Sequence, residues 1–224
     1  QSLAAAPWLV RLDSADGFLK ALTQRKPEQH SGIVFQSPLG LQGLRRHFRR
    51  FTMLATPIGG EVPQYFRFYD PRVILDGLTA LDPCVRDQLL RPLRGLFVPL
   101  SPDCLVPADA KLDPPPDVFH DPLNYVDRIL KVNWNFKELM EVRPSPMAID
   151  EPSFQRFGVL KTRRSLNDLA KYLFDNIATV EDKDACIQAA ERAPAVAAKF
   201  GLSSKKQVVA IARALLCHGP QFWV

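Results

Sequence analysis

The sequence predicts an α+β (mixed α/β) fold. An N-terminal lobe, residues 1–116, is a small mixed sheet with flanking helices, and an all-helical lobe, residues 117–224, follows it. Three observations point there. Strand-like and helix-like segments alternate through roughly the first hundred residues, the pattern of a layered α/β arrangement. The stretch YFRFYDPRVILDGL, residues 65–78, runs an alternating aromatic strand directly into a helix start. Residues 101–122 then carry Pro102, Pro107, Pro114, Pro115, Pro116 and Pro122, a stiff and irregular connection.

Taken in order, residues 8–12 (WLVRL) read as a short strand, and Asp13 or Ser14 caps a helix carrying Phe18, Leu19 and Leu22 that ends at Pro27. Residues 32–36 read as a buried strand. Ser37-Pro38 opens the next helix as cap then proline. Residues 51–56 and 62–69 pair as a hairpin about the turn Pro57-Ile58-Gly59-Gly60, with Pro63 marking a strand start or an edge. Asp70-Pro71 is an N-cap followed by proline at the first helical position, with Val73, Ile74 and Leu78 on the apolar stripe. Asp82-Pro83 starts another helix that runs through Leu90, and residues 96–100 form a further strand.

Beyond the proline-rich connection the spacing is helical. Leu123, Val126, Ile129, Leu130 and Trp134 predict a helix over 123–141, interrupted after by Pro144 and Pro146. Asp150 or Glu151 with Pro152 starts the next, and Leu166, Leu169, Leu173 and Phe174 share a stripe within 165–177. Pro194 is expected to split the alanine-rich stretch 182–200 into two short helices. Gly201 suits a left-handed helix end with Leu202 as its apolar partner, and Ser203 or Ser204 caps a last helix whose face is Val208, Ile211, Ala212 and Leu215.

Composition narrows the function classes. Apolar residues make up 46% of the chain, enough for a core. The net charge of +5 is a mild excess, far from a histone-like tail. Cys84, Cys104, Cys186 and Cys217 are scattered without a C-x-x-C pair or zinc-ligand spacing, which reads as four reduced thiols in a cytosolic protein. No apolar run approaches a membrane span and no signal-peptide pattern opens the chain. The start at Gln1, in sequence resembling the middle of a domain, leads us to expect residues upstream.

The residues offer little for catalysis. There is no G-x-S-x-G elbow, G-x-G-x-x-G turn or Walker loop. His30 falls in a polar turn, His47 on an arginine-rich helix and His218 at a helix end. His120-Asp121 is the one pair resembling acid–base chemistry, and adjacent residues rarely make a dyad; a hydrolase using His120 is the weakest of three functional readings. The strongest electrostatic feature is LRRHFRRF, residues 44–51. On a helix, Leu41, Leu44, Phe48 and Phe51 fall on one face, and Arg45, Arg46, Arg49 and Arg50 cover much of the other. That face is either a solvated charged surface, a protein-partner surface where guanidinium forks meet carboxylates, or a nucleic-acid-binding surface. No recognisable nucleic-acid module accompanies it. Asp70 reads as a cap. Arg67, which points away from Phe66 and Phe68, is placed to pair with it or with another carboxylate.

FRFYDPRVILDGL, preceded by LQGLRRHFRRFTMLATPIGGEVPQYF, resembles the core of the domain-of-unknown-function family numbered 4123, whose members are type VI secretion adaptor chaperones (Tap or TEC proteins). The similarity begins at APWLVRL, runs through GIVFQSPLGLQGLRRHFRR, peaks at FRFYDPRV and returns weakly in AAKFGLSSKKQVVAIARALLCHGPQF, residues 197–222. The resemblance implies a non-enzymatic adaptor without cofactor or metal, in the cytoplasm of a Gram-negative bacterium. It also implies a cognate toxic effector and the VgrG spike protein as partners, with neither nucleic acid nor membrane. Only Arg67, Asp70, Pro71 and Arg72 map onto the family motif, and the role expected for them is structural. The expected partner-binding residues are Arg45, Arg46, Arg49 and Arg50.

Overall fold

The computed structural model describes residues 8–12, 17, 30, 32–57, 63–107, 119, 128–132, 134, 147–177 and 182–222. The chain forms two compact units, Gln1–Pro116 with Asp121–Gly158, and Asp117–His120 with Val159–Val224. The boundary expected between 116 and 117 therefore differs from the grouping observed, in which 121–158 join the first unit.

The first unit carries two three-stranded sheets. One is antiparallel, in the order β1 (Val34–Gln36), β4 (Gly95–Pro99), β5 (Ile129–Val132), with Val34 opposite Phe97 and Leu96 opposite Val132. The other is mixed, in the order β3 (Gln64–Tyr65), β2 (Met53–Ala55), β6 (Met147–Ala148). β2 pairs antiparallel with β3 and parallel with β6, Leu54 opposite Met147. Among the described residues three helices lie between these strands in sequence: α1 (Leu41–Arg49), α2 (Pro71–Ala80) and α3 (Pro83–Leu90). The mixed α+β character and the helical C-terminal part are as the sequence indicates.

The core of this unit is aromatic where α1 meets the strands. Phe48 stacks on Phe68 with ring centres 4.7 Å apart and meets Phe35 edge-on at 5.2 Å. Such pairs add about 0.5–1.5 kcal/mol each beyond the area they bury. Phe51, Leu54, Ile74, Leu75, Leu89, Leu96 and Met147 complete it, all almost fully buried.

Helix starts follow local chemistry. Asp70 accepts from Arg72 N at 3.0 Å with Pro71 behind it; Asp82 accepts from Cys84 N and Val85 N ahead of α3. α4 (Glu151–Asn176) is capped by Asp150, which accepts from Ser153 N at 2.9 Å. Its first turns belong to the first unit. There Arg156 donates from Nε to the Ala80 carbonyl at 2.8 Å and from Nη2 to Ser153 Oγ at 2.9 Å, so it satisfies a carbonyl at the end of α2.

The described helices of the second unit are the remainder of α4, then α5 (Lys183–Lys199) and α6 (Lys205–His218). Its core is Leu173, Ile177, Cys186, Val196 and Leu215 among buried alanines 170, 189, 190, 193 and 212, whose small side chains let helices approach closely. Gly201 sits at φ +68 and closes α5 in a Schellman turn, with Leu202 N bonded to Ala197 O at 2.9 Å and Gly201 N to Ala198 O at 3.0 Å. Ser204 and Gln207 form a reciprocal capping box at the start of α6.

Several expectations are corrected. Residues 8–12 form no strand, because no described strand pairs with them; Leu9 packs on the core while Trp8 and Val10 face solvent. Ser37 does not cap α1. Its hydroxyl donates to the Pro92 carbonyl at 2.6 Å and accepts from Leu39 N, and the helix starts after Gly40 without a side-chain cap. Of the strand expected over 62–69, the described ladder spans Gln64–Tyr65, extended by Phe66 N bonded to Thr52 O at 2.8 Å. Beyond it the chain curls, with Phe68 N bonded to Phe66 O at 2.9 Å, and both rings still reach the core. Residues 129–132 are a strand instead of part of a helix over 123–141: Ile-Leu-Lys-Val suits a pleat as well as a helix, and β4 supplies the partner that decides it. Pro194 does not split its stretch, since α5 is continuous through it. The helix expected after Asp13 and the turn at 58–60 lie outside the described residues, Gly17 excepted.

Candidate functional site: the arginine helix and the Asp70 junction

α1 buries Leu44 and Phe48 and is anchored further by His47, whose Nε2 lies 3.0 Å from the Leu89 carbonyl. Burial lowers the His47 pKa from its usual value. The Leu89 carbonyl opposes this and the Arg50 charge adds to it, so the ring is neutral at pH 7 with its Nε2 proton on Leu89. Leu41, expected on the inner face, is 45% exposed, because the buried stripe begins one turn later at Leu44. Arg45, Arg46 and Arg49 are exposed, while Arg50 is half-buried at the helix end and engaged by neighbouring groups. Arg46 and Arg49 lie in the last turn, where cations oppose the negative end of the helix dipole.

The motif residues lie together at the start of α2, with Asp70 and Pro71 buried and the two arginines partly exposed. The Asp70 side chain is 1% exposed. Besides capping α2, it receives a two-point fork from Arg72, Nε to Oδ1 at 3.1 Å and Nη2 to Oδ2 at 2.8 Å. Burial alone pushes the Asp70 carboxyl up. The Arg72 hydrogen bonds and charge, with a smaller contribution from His30, outweigh it and hold the pKa below the ordinary carboxylate value. The same hydrogen bonds raise Arg72. Arg67 contributes less. Its guanidinium is 3.9 Å from Asp70 Oδ2, 54% exposed, and lies over the Tyr69 ring at 5.7 Å. Pro71 is buried at the first helical position.

Sequence reasoning missed the next layer. His30, read as a polar-turn residue, has a side chain only 10% exposed, with Nε2 3.3 Å from Asp103 Oδ2. Its backbone sits at φ +42, unusual for a residue other than glycine, and its Nδ1 is buried with no hydrogen-bond partner among the described residues. Cys104 follows Asp103 in sequence. Burial pushes that thiol up against the lowering effect of Ser101, whose Oγ lies 3.5 Å from the sulfur. Cys104 is thus a protonated, buried thiol, the opposite of an activated nucleophile. His30 and Asp103 are too far apart in sequence for any local signal to pair them.

All four cysteines are free, with Cys217 exposed. His120 lies outside the described residues, and His218 is exposed at the end of α6. Among the described residues no group of three or more His, Cys, Asp or Glu side chains is arranged to hold a metal ion, and no helix is long and apolar enough to cross a membrane.

No curated protein and no solved structure matches the chain. One family model does, that of the domain of unknown function DUF4123, over residues 1–88. That span holds the arginine helix and the whole FRFYDPRV junction, and in it the chain is similar to the DUF4123 family.

Proposed function

We propose that this chain is a non-enzymatic adaptor that binds a cognate toxic effector of the type VI secretion system in the cytoplasm of a Gram-negative bacterium and helps load it onto the VgrG spike. The observation that carries this reading is the DUF4123 match over residues 1–88, which spans the FRFYDPRV motif. The geometry supports a scaffold role for that motif, because the capacity of Asp70 is taken up by the α2 cap and the Arg72 fork. A carboxylate so engaged is poorly placed for proton transfer. It also supports a protein-facing surface upstream, where α1 turns arginines outward on a helix locked by Leu44, His47 and Phe48.

The test is co-purification. Tagged full-length chain, co-expressed with the product of the toxin gene adjacent to its own and with the neighbouring spike protein, is expected to retain the toxin through size exclusion. Recovery of soluble chain free of both overturns the reading.

A further inference from the structure

Several charged side chains among the described residues of the first unit are answered from within it. Arg72 pairs with Asp70, Arg86 lies 3.7 Å from Asp87, and Arg156 is bonded to Ala80 and Ser153. Arg45, Arg46 and Arg49 differ, being exposed and making no side-chain hydrogen bond or ion pair with another described residue. α1 itself, LQGLRRHFR, contains no carboxylate. Arg45 and Arg49 are one turn apart, about 6 Å along the axis, with Arg46 beside them.

The start of this helix and the residue before its cap expose apolar surface. Leu39 and Leu41 are 44% and 45% exposed. Leu39 lies over Gly43, where a Cβ would meet its Cβ at 3.5 Å and its methyls at 3.8 and 4.0 Å. The dipole accounts for cations in the last turn, but not for Arg45 or for two leucines in water.

We infer that this face docks an acidic segment of a partner protein, with an apolar side chain on Leu41, one turn before Arg45, and carboxylates on Arg45, Arg46 and Arg49. That the partner is the effector rests on the adaptor reading; the chemistry of the segment does not. Charge complementarity selects the carboxylates, which accept a guanidinium in two-point geometry. A nucleic acid fits less well. The aromatic rings of this region, Phe48 and Phe51, are buried, so none is presented for base stacking. The exposed Leu41 has no counterpart on a phosphate backbone. The buried stripe of Leu44 and Phe48 fixes the helix beforehand, so docking orders little of this side of the interface.

The full-length chain is titrated with three fluorescent helical peptides. One has two leucines a turn apart followed by glutamates, the second replaces the glutamates by glutamines, and the third replaces the leucines by alanines. A duplex DNA oligonucleotide is the fourth probe. The acidic leucine peptide is expected to bind most tightly, and to weaken at least about tenfold against Arg45→Gln/Arg46→Gln/Arg49→Gln. Circular dichroism of that variant should be unchanged, because its altered side chains are exposed. No binding of the acidic peptide, equal binding to the variant, or tighter binding of DNA through the same arginines each overturns the inference. The adaptor reading fails separately. Toxin retained equally by wild type and variant removes this docking face and keeps the adaptor, whereas toxin absent from the wild-type eluate removes the adaptor.

Discussion

Arg72 grips Asp70 at two points, Nε to Oδ1 at 3.1 Å and Nη2 to Oδ2 at 2.8 Å, while Arg72 N occupies the same Oδ1 at 3.0 Å. One carboxylate therefore starts α2 and fastens the side chain of the helix's second residue. Asp70→Ala removes a cap and leaves Arg72 without its partner. We expect a loss of about 2–3 kcal/mol in urea unfolding, less than for a fully buried pair because Arg72 is 31% exposed. Asp70→Asn keeps a capping oxygen and should lose less. A midpoint unchanged in Asp70→Ala contradicts the clamp.

The same pair sets an acid limit. Because the folded-state pKa of Asp70 is lowered, its contribution is complete above the ordinary carboxylate value and is lost as pH falls through the folded value. Wild-type stability should drop below about pH 4 more steeply than that of Asp70→Asn. Parallel curves for the two proteins would show that other carboxylates dominate.

His47 acts in a higher window with the same sign. Its folded pKa is lowered from 6.5, so below that value the unfolded chain binds the extra proton and stability declines as pH falls. His47→Gln, which retains an N–H donor for the Leu89 carbonyl, should flatten the slope between about pH 7 and 5. Urea midpoints across that range make the comparison.

Gly77 is set by packing. A Cβ there would lie 2.8 Å from the tip of the buried Phe66 ring and 3.5 Å from Leu81. Gly77→Ala gains about 1 kcal/mol of helix propensity and meets an overpacking cost of about 1–3 kcal/mol, so a net loss is expected. Phe66→Leu in the same chain should relieve it. A double-mutant cycle with no coupling between the two positions would refute this contact.

Pro194 lies exposed inside a helix of 17 residues. It lacks the N–H that residue 190's carbonyl would otherwise receive. Pro194→Ala is therefore expected to raise stability by about 1–3 kcal/mol, read as a higher thermal midpoint.

What the sequence disclosed was local. Asp70-Pro71, Asp82-Pro83, Gly201 and Ser204 are short-range devices, each complete within four residues, and each stands where its chemistry places it. The arginine helix was legible for the same reason, apart from its uncapped start. What it concealed was chosen by distant partners. Residues 129–132 read as a helix or a strand until β4 is beside them, and Ser37 caps nothing because the Pro92 carbonyl takes its proton. His30 met Asp103 across seventy-odd residues that share no pattern. Pro194 misled in the other direction, since neighbours in a packed helix can carry a residue that an isolated peptide would reject.

The pairing of Leu54 with Met147 has a consequence for the boundaries of the matched region. On a ribosome, β2 is made long before its parallel neighbour, and β1 waits for β4 and β4 for β5. A fragment cut at residue 88 would hold α1, α2 and the Asp70 clamp but keep two open strand edges, the kind that pair with other chains. The family match ends at residue 88, whereas the strand pairing that completes the β2 sheet reaches Ala148. Experiments on the arginine face therefore belong in the whole chain.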